Sequence, residues 1–205
     1  MIPDRLVSLA DPDARPIRKG KPRSPTEFGY TVLVTEDERG FVADHLLQQG
    51  NPADAPQLVP AVTRVAQVTG RVAATVVADR GFGTAANDRA LAAVGVARVG
   101  VQRKGRLSMA RAEVERTRSF RRLRNWRVGI EARISHLKRG FGLRRTRLRR
   151  LAGATIWVGL GIFAYNLQRM TVVARWAGRS GDATDSPHKF VRATLLSRTF
   201  SGATS

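Results

Sequence analysis

Phe28, Tyr30, Val32 and Val34 alternate with Gly29, Thr31, Leu33 and Thr35, which is the two-residue period of a β-strand. The polar run Glu36-Asp37-Glu38-Arg39-Gly40 follows, and Phe41–Leu47 reads as the return strand, so a hairpin with a five-residue loop is expected. Gly50-Asn51-Pro52 breaks the chain, and Ala53–Thr69 then carries Leu58, Val62, Val65 and Val68 at helical spacing. Val72–Ala78 is a β-branched apolar run of the kind buried on both faces of a sheet. After the turn Asp79-Arg80-Gly81-Phe82-Gly83, Thr84 is placed to cap a helix reaching about Val94. Gly95 ends it, Val96–Val101 is another short strand, and a long helical region runs from about Ser108 to Arg139. This order predicts an α/β fold whose single strands are joined by right-handed crossovers.

The chain has 205 residues and a net charge of +20, and 31 of its 36 basic residues are arginine. Self-repulsion on that scale is relieved by a polyanion, so nucleic acid or an acidic membrane surface is the expected partner. Arginine suits phosphate because its planar fork donates two hydrogen bonds at once, although a GC-rich genome would enrich arginine as well. The absence of cysteine excludes disulfides, thiolate catalysis and cysteine zinc sites. His45, His136 and His188 show no metal-pair spacing, and Met1–Ala10 has no apolar segment of a secretory signal.

Residues 1–27 read as a basic extended arm containing Lys19 and Lys21, and residues 144–176 as the basic run RRTRLRR followed by an apolar helix. Leu151–Gln168 carries no charge but sits at the short limit for a bilayer span and includes three glycines, Thr155, Asn166 and Gln168. A buried core helix is the expectation, with no membrane partner. Residues 177–205, rich in Ser, Thr and Gly, read as a disordered tail.

Between Glu115 and Asp182 the sole acid is Glu131, among seventeen lysines and arginines. Arg127, Glu131 and Lys138 share roughly one helix face, while Ile130, Ile134, Leu137 and Phe141 form the apolar stripe beside it. A lone carboxylate on a basic face suits phosphodiester chemistry, in which arginines hold the backbone and the carboxylate holds a metal ion. The competing reading is a plain Arg127–Glu131 surface pair. Asp79 ends an apolar strand, where α/β folds display catalytic side chains, or it is simply a turn aspartate. Gly81–Ala86 also fits GxGxxA, but no acid occurs between Asp88 and Glu113 to hold a ribose, which disfavours a dinucleotide site.

Three segments together are more specific: KGKPRSPTEFGYTVLV (19–34), ADRGFG (78–83) with Asn87, and WRVGIEARISHLKRGFGL (126–143). In these the chain resembles the insertion-sequence transposases of the DDE class, whose catalytic domain is ribonuclease-H-like. The last segment matches that family's R-(3)-E-(6)-K pattern, with Arg124 in place of its usual tyrosine. The resemblance implies that Asp79 and Glu131 are catalytic metal ligands for two Mg²⁺ ions, with their carboxyl groups within about 8 Å of each other. It further implies DNA-backbone contacts from Arg127 and Lys138; the basic patches Arg15–Arg23, Arg116–Arg127 and Lys138–Arg150 add Arg139, Arg144, Arg145, Lys19 and Lys21 as expected contacts, and a nucleoid-associated cytoplasmic protein is expected.

The family's first aspartate lies on a central strand upstream of the hairpin, and nothing before Phe28 reads as that strand. The expectation is therefore an incomplete ribonuclease-H-like mixed sheet, followed by an apolar helix and a tail. Such a chain would be the C-terminal part of a transposase, inactive alone, with an upstream fragment or a second copy as possible protein partners. A non-catalytic nucleic-acid-binding remnant is the alternative.

Overall fold

The computed structural model describes residues 8–18, 26–180 and 190–196, with no side-chain detail at 176–180 and 190–196. Its elements, in order, are β1 (Arg15–Arg18), β2 (Thr26–Asp37), β3 (Val42–Gln49), α1 (Leu58–Thr69), β4 (Thr75–Ala78), α2 (Ala85–Ala93) and β5 (Arg98–Gly100), then α3 (Met109–Arg116), α4 (Arg118–Gly140), α5 (Arg150–Ser180) and β6 (Phe190–Leu196). Single 3₁₀ turns at Ala55–Gln57 and Arg80–Phe82 precede α1 and α2.

The sheet is mixed α/β, in the order β3-β2-β6-β4-β5, with β1 paired to the first residues of β2. β2 runs antiparallel to β3 and β6, whereas β4 runs parallel to β5 and β6. Alternation along β2 sends Tyr30, Val32 and Val34 to one face and Leu33 to the other. Ile130, Ile134 and Leu137 of α4, with Val158 and Ile162 of α5, cover the first face. Leu58, Val62 and Val65 of α1, with Leu91 of α2, cover the second, where they meet Val76 and Ala78. Thr31 and Thr35 are buried too, because β2 has helices on both sides.

The hairpin loop is shorter than the sequence suggests. β2 continues through Asp37, whose Oδ1 accepts the Phe41 amide at 2.8 Å, and a bulge shifts the register between Thr35 and Glu36. Gly40 turns the chain at φ 81°, beneath the Arg133 guanidinium. The region expected as one helix from Ser108 to Arg139 is two, because Thr117 adopts an extended conformation and its hydroxyl caps α4 at the Phe120 amide.

Three further readings change. Part of the basic extended arm, Arg15–Arg18, is a strand paired with β2. Lys19 and Lys21 lie outside the described residues. Within the stretch read as a disordered tail, Phe190–Leu196 is a strand, and α5 extends to Ser180. The run FVRATLL is too short to show a period, but β2 and β4 offer it unpaired backbone on both sides. Residues 181–189 and 197–205 lie outside the described residues.

The apolar helix α5 is buried on one face only. Ala154, Val158, Ile162 and Tyr165 enter the core, whereas Ile156, Leu160, Phe163 and Leu167 are exposed. By length and composition Arg150–Arg175 is apolar enough to cross a membrane. Its inner face is nevertheless tied to the sheet and hairpin. Asn166 bonds both backbone groups of Val42, Tyr165 donates to the Gly40 carbonyl, and Arg169 donates to the Arg39 carbonyl. At its other end Asp11 and Asp13 accept the amides of Arg150 and Leu151 at 3.1 and 2.9 Å. Asp11 and Asp13 thus satisfy two of the orphan donors at the start of α5.

Candidate active site

β4 delivers Asp79 to the end of a strand whose four residues are all buried. Because Val76 and Ala78 face α1, alternation turns Val77 and Asp79 towards α4. Gly100 confirms this geometry, since a Cβ there would lie 2.7 Å from Leu123 Cβ and 2.8 Å from Val77 Cγ1. The missing side chain lets α4 lie close on the strands.

The turn after Asp79 is held from three directions. Asn87 Nδ2 donates to the carbonyls of Phe82 and Ala55 at 2.8 and 2.7 Å, and Phe82 is fully buried. Thr84 caps α2 by accepting the Asn87 amide at 3.0 Å, as its place in the sequence suggests. Gly83 has an ordinary φ but no room, because a Cβ would lie 1.8 Å from the Gln102 carbonyl oxygen. Gly83→Ala should therefore destabilise the fold by about 3 kcal/mol, since backbone rather than a mobile side chain must move. Urea unfolding measures this, and an unchanged midpoint would mean the loop at Gln102 yields freely.

Arg127 brings the two acids together. Its Nη1 pairs with Asp79 Oδ1 and lies 3.6 Å from Glu131 Oε1. Since one nitrogen is within ion-pairing reach of both, the carboxyl groups converge on one point. The Asp79 carboxyl is pushed above the usual carboxylate range, chiefly by burial. Arg127 opposes that shift, while the negative charges of Glu131 and Asp54 reinforce it. Glu131 itself is exposed, on the solvent side of the Ile130–Ile134 stripe.

Asp54 was not legible as part of this neighbourhood. It lies in the loop after β3, and its Oδ2 would be 1.8 Å from a Cβ at Gly81, so that glycine makes room for it. Asp44 on β3 is committed to Arg64 through a forked pair at 3.1 and 2.7 Å.

The remaining sequence candidates are spread along the basic surface. Lys138 and Arg139 lie in the last turn of α4, where cations complement the helix dipole. They follow Glu131 by about two turns, roughly 10 Å along the axis. Arg144 and Arg145, both exposed, line a cavity of about 560 Å³ with Trp157. A larger cleft of about 890 Å³ opens where α4 begins, with Arg98, Arg111 and Arg122 around Val99, Phe120 and Trp126. Arg98 lies opposite Thr75, so this cleft is at the start of β4, away from Asp79.

Asp79 and Glu131 offer the hard oxygen ligands that Mg²⁺ prefers. However, a guanidinium lies between them, and among the described residues no three His, Cys, Asp or Glu side chains gather to hold an ion. The pair alone does not fit a two-metal centre.

No curated protein and no solved structure gives a significant match to this chain. Residues 7–167 match the family described as the transposase DDE domain, a span containing β2 to β5 and the Asp79–Arg127–Glu131 cluster. With most of its length inside that match, the chain belongs to the DDE transposase family.

Proposed function

We propose that the chain serves DNA transposition by metal-dependent phosphoryl transfer, with Asp79 and Glu131 as two of the carboxylates of the reaction centre and Arg127 as the group that meets the DNA phosphate. The observation that carries this reading is the convergence of both carboxylates on one guanidinium at a strand end. Along the helix that carries it, Arg118, Arg121, Arg122, Arg124 and Arg139 are exposed, in a stretch that holds seventeen basic residues and one acid between Glu115 and Asp182. The strand order β3-β2-β6-β4-β5 supports a ribonuclease-H-like domain. Mg²⁺, when bound, would activate the attacking hydroxyl and stabilise the leaving oxygen. Asp79 and Glu131 would be among its ligands, together with a carboxylate that the described residues do not bring to them. On this reading, in which the described residues supply two carboxylates of the centre, the isolated chain is expected to bind DNA without cutting it.

In this reading Arg127 is held in place by Asp79 until a phosphate competes for it, and its fork then donates to the phosphate oxygens. Lys138, Arg139, Arg144 and Arg145 extend the contact along the DNA backbone. The occupation of the space between the acids by Arg127 favours one second reading, a nucleic-acid-binding protein without catalysis.

DNA binding by the Arg127→Ala and Glu131→Gln variants, measured by fluorescence anisotropy, tests the placement of the site. Arg127→Ala should weaken binding about tenfold, the value of a charge-assisted hydrogen bond. Glu131→Gln should tighten it by about threefold in EDTA, because a charge repelling the phosphate is removed. If neither variant shifts affinity by more than about twofold, the cluster is an ordinary surface ion pair of small energetic weight.

A further inference from the structure

The helix α5 is apolar on two opposite sides, and the sheet covers one of them. Ala154, Val158, Ile162 and Tyr165 pack inward. On the outer side Ile156, Leu160, Phe163, Leu167 and Met170 are each between 47 and 61% exposed. They recur at alternating steps of four and three residues. At 100° per residue all five fall within about 80° of arc, opposite the buried stripe.

Charge avoids this outer face. Between Arg150 and Arg175 the helix has a single charged residue, Arg169, which donates to the Arg39 carbonyl of the hairpin at 2.7 Å. The exposed positions beside the stripe are small and uncharged: Ala152, Thr155, Ala164 and Thr171. The five side chains leave on the order of 500 Å² of apolar surface in water, at the upper end of what soluble monomers carry.

The pattern indicates what covers it. A four-three repeat is the seam of a helix pair, because two helices wound around each other meet every 3.5 residues. Lipid, by contrast, rewards a broad apolar face of any spacing. Crossing a bilayer would also break the bonds by which Asn166, Tyr165 and Arg169 fasten α5 to the hairpin. The stripe is suited to meet a copy of itself, since it is apolar throughout and has no charge beside it to face a like charge. Two such surfaces together bury about 1,000 Å², the size at which a specific interface becomes stable.

We propose that the outer face of α5 is the seam of a homodimer, in which α5 of a second copy lies against the stripe from Ile156 to Met170. This contact is independent of the phosphoryl-transfer reading. It joins two bodies that each carry a net charge of +20, so it tightens as salt screens their repulsion, the opposite of DNA binding.

Sedimentation velocity of the full chain, freed of nucleic acid and held in about 0.5 M salt, should show a monomer–dimer equilibrium at micromolar concentration. Two double variants probe the seam: Leu160→Lys with Leu167→Lys, and Leu160→Glu with Leu167→Glu. Both positions are exposed, so each variant should keep the urea midpoint of the parent. Each alone should dimerise about 100-fold more weakly or worse, because like charges meet across the seam. Mixing the two should restore a heterodimer, whichever way the helices run. A parent chain that stays monomeric at about 100 μM, or association that is lost as salt rises, would overturn the seam. Variants that dimerise as the parent does, or a mixture that stays monomeric, would overturn it equally. So would a monomeric parent that floats with phosphatidylglycerol vesicles in the same salt, which would assign the face to lipid.

Discussion

Affinity for duplex DNA is expected to fall by about 10³–10⁵-fold between 50 and 200 mM salt, the loss produced by about 6–10 phosphate contacts. The estimate follows from the distribution of charge rather than from its total. Arg118, Arg121, Arg122 and Arg124 are exposed on the first turns of α4, Arg139 at its end, and Arg144, Arg145 and Arg147 on the loop beyond. They lie on either side of the Asp79–Arg127–Glu131 cluster along one helix and its exit, so a DNA backbone lying across the cluster meets both groups. Each neutralised phosphate releases counterions, and the slope of log affinity against log salt counts them. Anisotropy titrations with a random-sequence duplex measure that slope. A flat dependence would mean that the partner of this surface is not a nucleic acid.

Arg133→Ala is expected to destabilise the fold by about 3–5 kcal/mol, because it strips an ion-pair partner from a buried carboxylate. Glu36, 1% exposed, lies near the end of β2 and accepts from Arg133 Nε at 2.6 Å. This pair fixes the middle of α4 to the sheet, six residues from Arg127, so it also sets how the helix presents its cluster to Asp79. Burying a charge is costly, and the Arg133 guanidinium offsets a large part of that cost here. The urea midpoint should drop by about 1 M or more, given the m-values usual for a domain of this size. A midpoint within experimental error of the parent would show that water reaches Glu36 and that α4 is held by its apolar stripe alone.

Much of the fold was legible because its signals are local. The period-two run at Phe28–Thr35 marks β2, the β-branched run before Asp79 marks β4, and the hydroxyl of Thr84 marks the start of α2. The spacing of Arg127 and Glu131 put both on one helix face, and the strand end put Asp79 within their reach. The parts that were not legible depend on partners far away in sequence. Asp11-Pro12-Asp13 reads as a turn, and it is one, but its carboxylates also cap α5 some 139 residues later. Asp54 reads as a loop residue, and only the absence of a side chain at Gly81 brings it to the turn after Asp79. Phe190–Leu196 has no pattern of its own, and its strand conformation is imposed by two waiting edges. The break at Thr117 did carry a local signal, a threonine three residues before Phe120, which the long helical run on either side obscured.

Nicking of supercoiled plasmid DNA by the isolated 205-residue chain in Mg²⁺ tests the central claim most directly. Two-metal chemistry loses orders of magnitude in rate when one carboxylate is missing. The account therefore predicts that the chain retards the plasmid at low salt and leaves it supercoiled. Nicking by the unaltered chain that disappears in Asp79→Asn would contradict it, because the carboxylates near Asp79 would then be sufficient for catalysis.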